Sequence, residues 1–369
     1  MKIALFDNGA IVERNGQYYS VDGTGKFAHE LKDLGNDVTM IGQIAHGRQG
    51  ISNYNLTESG VDVVGVSLRH NKIVRHLMLH FRAVRHILKS DFCYFFYPTA
   101  NRYIALFCAI IGKKYGLYIR GDEGIKSKLS FYLYRRATTV FTVSDGFTAM
   151  VNEVNPKQIA HTIRPMIAYD ERDVVMDRNY RQHSPFKILF LCRVDRTKGV
   201  DELLNAVGII NKEKPDSLAV SIVGDGSYLE AAKKLAQNLS ISHLFTFYGA
   251  VTDNELKKTL YLDSDLYVLP TFYREGFPRT LYEAMIFGTP IITTFVAGIP
   301  GLMVDGQNCK RVIEKSVSDL VSCLSYAMEN YGEMAKLAHN ATQTVLPIID
   351  SRRLTHAEDL NKIIKDNNR

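Results

Sequence analysis

Short apolar runs alternate along this chain with stretches whose apolar positions recur at helical spacing, the pattern of parallel strands covered by helices. In the first half the runs predict strands at Lys2–Phe6, Asp37–Ile41, Asp62–Val66, Phe92–Tyr97, Leu117–Arg120 and Val140–Val143. A helical stretch, Thr24–Leu34, closes at Gly35, where a C-terminal cap belongs. Ile11–Ser20 breaks the rhythm by alternating around Asn15-Gly16, the signature of a β-hairpin. Tyr169–Pro185 is polar and patternless and reads as a linker. A second series follows: strand Lys187–Leu191, helix Val200–Asn211, strand Leu218–Val223, helix Tyr228–Asn238, strand Phe245–Tyr248, helix Asn254–Leu262 and strand Leu266–Leu269. It ends with helix Thr280–Phe287 and strand Pro290–Thr293. The expected fold class is α/β, with two doubly wound, Rossmann-like parallel-sheet domains, residues 1–168 and 186–350, joined by 169–185. Such a tandem places a ligand cleft between the domains, outside the carboxyl ends of their strands.

Composition narrows the picture. A length of 369 residues exceeds one ordinary core and suits two domains. Apolar content of 46% and charged content of 23% are those of a soluble globular chain. The opening run Met1–Phe6 is too short for a signal peptide, and no run approaches the roughly 20 apolar residues that span a bilayer. Five scattered cysteines without a Cys-x-x-Cys pair argue for reduced thiols in a cytoplasmic protein, not for a disulfide framework or a zinc site. The net charge of +6 suits a phosphate-rich partner, and the recognisable nucleic-acid modules are missing, so no nucleic acid is expected.

Candidate chemistry concentrates in two strings. In Glu275-Gly-Phe-Pro-Arg-Thr-Leu-Tyr-Glu283 a loop feeds a helix that starts near Thr280. The first turn of such a helix offers unpaired N–H groups and a positive dipole end, a site for a diphosphate. Gly276 and Pro278 let the loop backbone approach a ligand, and a carboxylate at Glu283 can accept from a pair of ribose hydroxyls. In Arg193-Val-Asp-Arg-Thr-Lys198-Gly199 two cations flank a loop at the carboxyl end of a strand in the same sheet, where they can clamp a diphosphate. Either string alone also reads as an ordinary solvated loop; two cations and two carboxylates at one sheet edge do not.

These strings, with Val223-Gly-Asp-Gly226, Phe247-Tyr-Gly249 and Asp265-Leu-Tyr-Val-Leu-Pro270, resemble the retaining GT-B glycosyltransferases of family four over the whole C-terminal half. The resemblance implies transfer of a sugar from a UDP- or GDP-sugar to a glycan or lipid-linked acceptor, in polysaccharide or glycoconjugate biosynthesis. It implies that Arg193, Lys198 and Glu275 act in catalysis. Arg193 and Lys198 would hold the donor diphosphate with backbone N–H groups around Thr280 and Leu281, and Glu283 the ribose. Glu275 would contact the donor sugar with Gly276, Phe277 and Pro278, and Val251 would border the nucleobase. Retention is then expected by same-face attack, with the donor phosphate as base. No metal and no cofactor beyond the nucleotide-sugar co-substrate is expected. The one Asp-x-Asp string, Asp263-Ser-Asp265, reads as a helix end and strand start.

The N-terminal half fits more loosely. Val21-Asp-Gly-Thr-Gly25, with Gly23 and Gly25, reads either as a loop approaching the donor phosphates or as a turn capped by Thr24. Where relatives carry a histidine, this chain has Arg120-Gly-Asp122; an arginine cannot act as a base, so Arg120 and Asp122 read as an acceptor-side pair. Cys192 stands where a glycine is usual. Within Arg69–Lys89, Ile73, Leu77, Phe81, Val84 and Leu88 form a stripe expected to pack on the sheet. The opposite face carries Lys72, Arg75, Arg82, Arg85 and Lys89 without one acid, and is expected to meet an anionic membrane surface, making the protein peripheral at the inner face. A last helix, about residues 351–369, is expected to return to the N-terminal domain. Two enzyme alternatives fare worse. A GT-B sugar-nucleotide epimerase does not need the full set of cations and carboxylates. A nicotinamide dehydrogenase needs Gly-x-Gly-x-x-Gly after the first strand, where the chain reads Asp7-Asn-Gly-Ala-Ile-Val. A silent binding subunit would have no use for intact Arg193, Lys198, Glu275 and Glu283.

Overall fold

The computed structural model describes residues 1–47, 52–97, 101–122, 124–274 and 276–367. They form two compact units, Met1–Met166 with Arg353–Arg369, and Ile167–Arg352.

The first unit holds strands β1 (Lys2–Arg14), β2 (Gln17–Ser20), β3 (Asp37–His46), β4 (Tyr54–Asn55), β5 (Asp62–Ser67), β6 (Phe92–Tyr97), β7 (Tyr115–Ile119), β8 (Thr139–Thr142) and β9 (Ala160–Thr162). Its parallel body runs β5-β3-β1-β6-β7-β8-β9. The order reverses between β1 and β6, the kind of switch point where α/β sheets bind ligands. β1 is longer than the apolar run predicts. Its register against β3 slips between Phe6 and Ala10, and the strand then continues to a turn at Asn15-Gly16. Both turn residues have left-handed φ, 51° and 77°, as a two-residue hairpin requires. The expected hairpin therefore exists, as an extension of the first strand.

Helix Asp22–Asp33 buries Phe27, Ala28 and Leu31 against this sheet. Beside it lies the C-terminal helix His356–Asp366, which adds Ala357, Leu360 and Ile364 to the same apolar cluster and starts in a capping box between Thr355 and Glu358. His356 is enclosed by the rings of Phe27, Tyr94, Tyr118 and Phe141, with the Tyr94 hydroxyl 2.5 Å from Nε2. Burial first, and then the charge of Arg120, hold its pKa down at about 3. The unfolded chain takes up this proton near pH 6.5 and the folded chain does not. The stability His356 contributes is thus complete above about pH 6.5 and is lost as pH falls from there towards the folded value, at up to about 1.4 kcal/mol per pH unit. Urea midpoints of wild type and His356→Phe between pH 7 and 4.5 check this. The variant should lose the Tyr94 bond at every pH but show a shallower acid limb, and parallel limbs would refute the assignment.

Helix Lys72–Lys89 departs from expectation. Asn71 caps it by accepting from the Ile73 N–H, and its inward face is Leu79, Ala83 and Ile87, all buried. The stripe expected to pack on the sheet faces solvent: Ile73 is 71% exposed, Leu77 67%, Phe81 80% and Leu88 63%. The helix carries two apolar stripes, and a period alone does not choose between them. The small Ala83 lets its own stripe lie close to the strands.

The second unit holds β10 (Phe186–Leu191), β11 (Leu218–Val223), β12 (Phe245–Gly249), β13 (Leu266–Leu269), β14 (Ile291–Thr293) and β15 (Lys310–Arg311), all parallel in the order β12-β11-β10-β13-β14-β15. Its central strands β10 and β13 read as largely apolar runs because both faces are covered. Phe186, Ile188 and Phe190 enter one cluster, Leu189 and Leu191 the other. The segment 169–185 is no free linker but a strap built into this unit. The Arg178 guanidinium donates to the carbonyls of Tyr261 (3.2 Å), Leu262 (3.0 Å), Ser264 (2.6 Å) and Phe287 (3.0 Å) and to Thr289 Oγ1 (2.8 Å). Such pinning by polar groups leaves no apolar period to read. Among the described residues no helix is long and apolar enough to cross a membrane.

Candidate active site

At the carboxyl edge of the second sheet the strand-following loops lie backbone against backbone. Gly199, with φ 81°, sits so close to the loop after β13 that a Cβ would fall 2.2 Å from the Pro270 carbonyl oxygen. At Gly224 a Cβ would fall 1.8 Å from the Cys192 oxygen. Only glycine permits these approaches.

The loop after β10 carries Arg193, exposed, and Lys198, 6% exposed, at the end of a single 3-10 turn Arg196–Lys198. Asp195 caps that turn, accepting from the N–H and hydroxyl of Thr197 at 3.0 and 2.8 Å. These two bonds, followed by the charges of Arg193 and Lys198, hold its carboxyl below the usual range. The structure brings the two predicted cations together on one ring. Tyr273 lies 4.8 Å from Lys198 Nζ and 5.9 Å from the Arg193 guanidinium carbon. The loop bearing it is tied to the first by Phe272 and Tyr273 N–H groups donating to the Thr197 carbonyl. Sequence reading missed Tyr273; its signal was the aromatic pair Phe272-Tyr273 in the loop just before Glu275.

Helix Arg279–Ile286 begins beside the same edge. The Tyr267 hydroxyl lies 3.1 Å from the Leu191 carbonyl oxygen, at the end of β10, and 2.6 Å from Thr280 Oγ1. No side chain caps this helix, whose N-cap is Pro278. Its first turn contains no acidic residue and presents the positive end of the helix dipole. Leu281 is fully buried, and Val251 packs against the apolar cluster that contains it. Gly276, Phe277 and Pro278 are buried in front of the helix, with the Phe277 ring 4.4 Å from Tyr282. Glu275 lies outside the described residues. Glu283 is 6% exposed; its Oε2 lies 3.1 Å from the Tyr261 hydroxyl and its Oε1 3.8 Å from Lys257 Nζ. Burial raises its pKa against the opposing pull of Lys257 and then of the Tyr261 bond. It is therefore no solvated helix-face residue, but a buried carboxyl held by Tyr261 on one oxygen and facing Lys257 with the other.

In the first unit, Arg120 follows β7 and reaches Asp7, 7% exposed, at 3.5 Å, while its guanidinium lies 4.8 Å from the Phe96 ring. Asn101 donates to Asn8 Oδ1 at 3.0 Å beside them. Arg120, Asp7 and Asn101 thus gather at the switch point between β1 and β6, and half-buried Asp122 follows in the same turn. Gly23 and Gly25 need correcting: Val21–Gly25 is neither a loop nor a turn capped by Thr24. The helix already begins at Asp22 with Val21 as its N-cap. Gly25 serves packing, since a Cβ there would lie 2.3 Å from the Tyr54 ring. Thr24 is buried inside the first turn. Asp263-Ser-Asp265 lies at the amino end of β13, the edge away from Arg193. Both Asp265 oxygens accept there, from the backbone N–H groups of His183 (3.1 Å) and Lys187 (2.7 Å). Among the described residues no group of three or more His, Cys, Asp or Glu could hold a metal ion.

Residues 171–344 match the family model of glycosyl transferases group 1. The chain is 24% identical to an uncharacterized glycosyltransferase of Methanocaldococcus jannaschii, over 59% of this chain and 60% of that protein. It is 32% identical to a GDP-mannose-dependent alpha-(1-6)-phosphatidylinositol monomannoside mannosyltransferase of Mycobacterium tuberculosis, over 39% of this chain and 40% of that one. The matches thus span only 40–60% of these relatives. Among solved structures, HepE of Anabaena in complex with UDP-glucose aligns over 100% of this chain and 99% of its own, with a TM-score of 0.69 at 16% identity. Residues 171–344 thus carry a glycosyl transferases group 1 domain, and the chain has the GT-B fold of two Rossmann-like units.

Proposed function

We propose that the protein is a retaining, metal-independent glycosyltransferase that moves a sugar from a UDP- or GDP-sugar, bound by the second unit, to a glycan or lipid-linked acceptor bound by the first. The observation that carries this reading is the pairing of Arg193 and Lys198 on the Tyr273 ring, at the same sheet edge as an uncapped helix start. As the glycosidic bond breaks, negative charge grows on the departing diphosphate. In this reading a buried ammonium at Lys198, a guanidinium at Arg193 and the first-turn N–H groups around Thr280 stabilise it. On the same reading these donors, and not a metal, neutralise the leaving group. Glu283 holds the ribose, and Val251 borders the base. Glu275 contacts the donor sugar with Gly276, Phe277 and Pro278. The donor phosphate takes the acceptor proton during same-face attack. Arg120 and Asp122 read the acceptor, which suits a role in polysaccharide or glycoconjugate synthesis. The protein works in the cytoplasm, at the inner membrane face, through the basic helix within 69–89. The GDP-mannose dependence of the Mycobacterium tuberculosis relative and the UDP-glucose bound to the similarly folded HepE support both donor bases.

The test is binding and hydrolysis of a panel of UDP- and GDP-sugars with a chelator present. One nucleotide sugar should bind, and Arg193→Ala should weaken it at least tenfold. No binding by any member of the panel would remove the donor site, and activity only with added divalent metal would remove the metal-independent mechanism.

A further inference from the structure

Helix Lys72–Lys89 presents three arcs. At about 100° per residue, Leu79, Ala83 and Ile87 share the arc that is buried on the sheet. Ile73, Leu77, Phe81, Val84 and Leu88 share a second, and four of these are more than half exposed. Arg82, Arg85 and Lys89 fall on the third, between the other two. That basic arc borders a groove of about 700 Å³ between the helix and the edge strand β5. Val63, Val64 and Met78 line its floor, Arg82, Arg85, His86 and Lys89 its rim, and Phe81 stands where groove and exposed stripe meet. Arg82 donates to the Gly65 carbonyl, which holds it on the rim.

Exposed apolar patches on a folded surface mark an interaction site, and here the choice of partner is constrained. A second copy of this chain would set the basic arc against itself, since no acid lies anywhere in 69–89. A nucleic-acid backbone would satisfy the cations and leave Leu77, Phe81 and Leu88 in water. An anionic bilayer satisfies both at once: acyl chains take the stripe, and headgroup phosphates take the rim.

We propose that this face docks on an anionic lipid surface, with Ile73, Leu77, Phe81 and Leu88 inserted below the headgroups and a headgroup phosphate seated in the groove by Arg85 and Lys89. This deepens the membrane contact in the reading above by naming an inserted face, a headgroup site and a lipid charge. It does not depend on the donor chemistry of the second unit.

The experiment is co-sedimentation of the full chain with vesicles of phosphatidylcholine alone, and of equal parts phosphatidylcholine and phosphatidylglycerol. Binding to the mixed vesicles is expected, at least tenfold tighter than to phosphatidylcholine and weakened by about 0.5 M salt. Phe81→Asp and the double variant Arg85→Gln, Lys89→Gln should each lower it at least tenfold. All three side chains are exposed, so both variants should keep the wild-type Tm. Failure to bind mixed vesicles overturns the proposal. Equal binding of Phe81→Asp overturns insertion, and equal binding to both vesicle types overturns the headgroup site. Nucleotide-sugar binding measured on the same preparation separates this result from the function: intact docking without any donor binding would count against the transferase alone.

Discussion

Lys198→Ala is expected to lower the rate of sugar transfer by about 10²–10³-fold with little change in Tm, a loss of about 3–4 kcal/mol of transition-state stabilisation. Lys198 is buried where Arg193 is exposed, so in the proposed function its charge would act on the leaving diphosphate through a medium less polarisable than water. The diphosphate gains negative charge as the bond breaks, so the interaction strengthens in the transition state. The loss should therefore fall on kcat more than on KM. Arg193→Ala, at a solvated position, should act more on donor binding. Lys198→Arg should restore the rate only in part, because a planar guanidinium does not reproduce the compact ammonium that lies 4.8 Å from the Tyr273 ring. Steady-state kinetics with the donor found in the nucleotide-sugar panel give the split. Wild-type turnover in Lys198→Ala would remove the catalytic assignment.

Arg178→Ala should be the most destabilising change outside the apolar cores, by about 3–5 kcal/mol. It strips the carbonyls of Tyr261, Leu262, Ser264 and Phe287 of a charged donor and leaves them half-buried. Those carbonyls belong to the end of helix Asn254–Leu262 and to the end of helix Arg279–Ile286. The strap therefore clamps the elements that carry Tyr261 and Glu283. A shift of this size corresponds to roughly 10 °C in Tm. Arg178→Lys should recover part of it, since one ammonium reaches only some of the oxygens that a planar fork serves together. Denaturant unfolding of the three proteins decides; a midpoint for Arg178→Ala within about 1 kcal/mol of wild type would show that the strap is not a clamp.

The two-unit architecture and most strand positions were legible from apolar runs, because strands covered on both faces leave few polar residues to confuse the pattern. The hairpin was legible because Asn15-Gly16 supplies the left-handed pair its turn demands. The donor-side candidates were legible because a βα loop places its residues at a sheet edge whatever the tertiary detail. Other readings failed or fell short, each for a physical reason. Val21–Gly25 looked like a glycine loop because glycine signals both flexible loops and tight packing, and only the Tyr54 ring distinguishes them. The strap 169–185 looked free because polar pinning has no period. Tyr273, Tyr261 and Lys257 were invisible because their partners come from other loops and helices.

Helix Lys72–Lys89 marks the division most plainly. Its sequence by itself determined an amphipathic helix with two apolar stripes and one basic flank, since covalent order and helical pitch place those side chains. Which stripe is buried was decided by the tertiary structure: Leu79, Ala83 and Ile87 fit the sheet because Ala83 allows close approach. In the same way the sequence placed Arg193 and Lys198 at one sheet edge by the pitch of strand and loop. Their convergence on Tyr273, and the burial of Lys198 but not of Arg193, came from loops that meet only in the folded chain. Local periodicity is written in neighbouring residues, whereas the environment that sets a charge's strength is assembled from residues far apart in sequence.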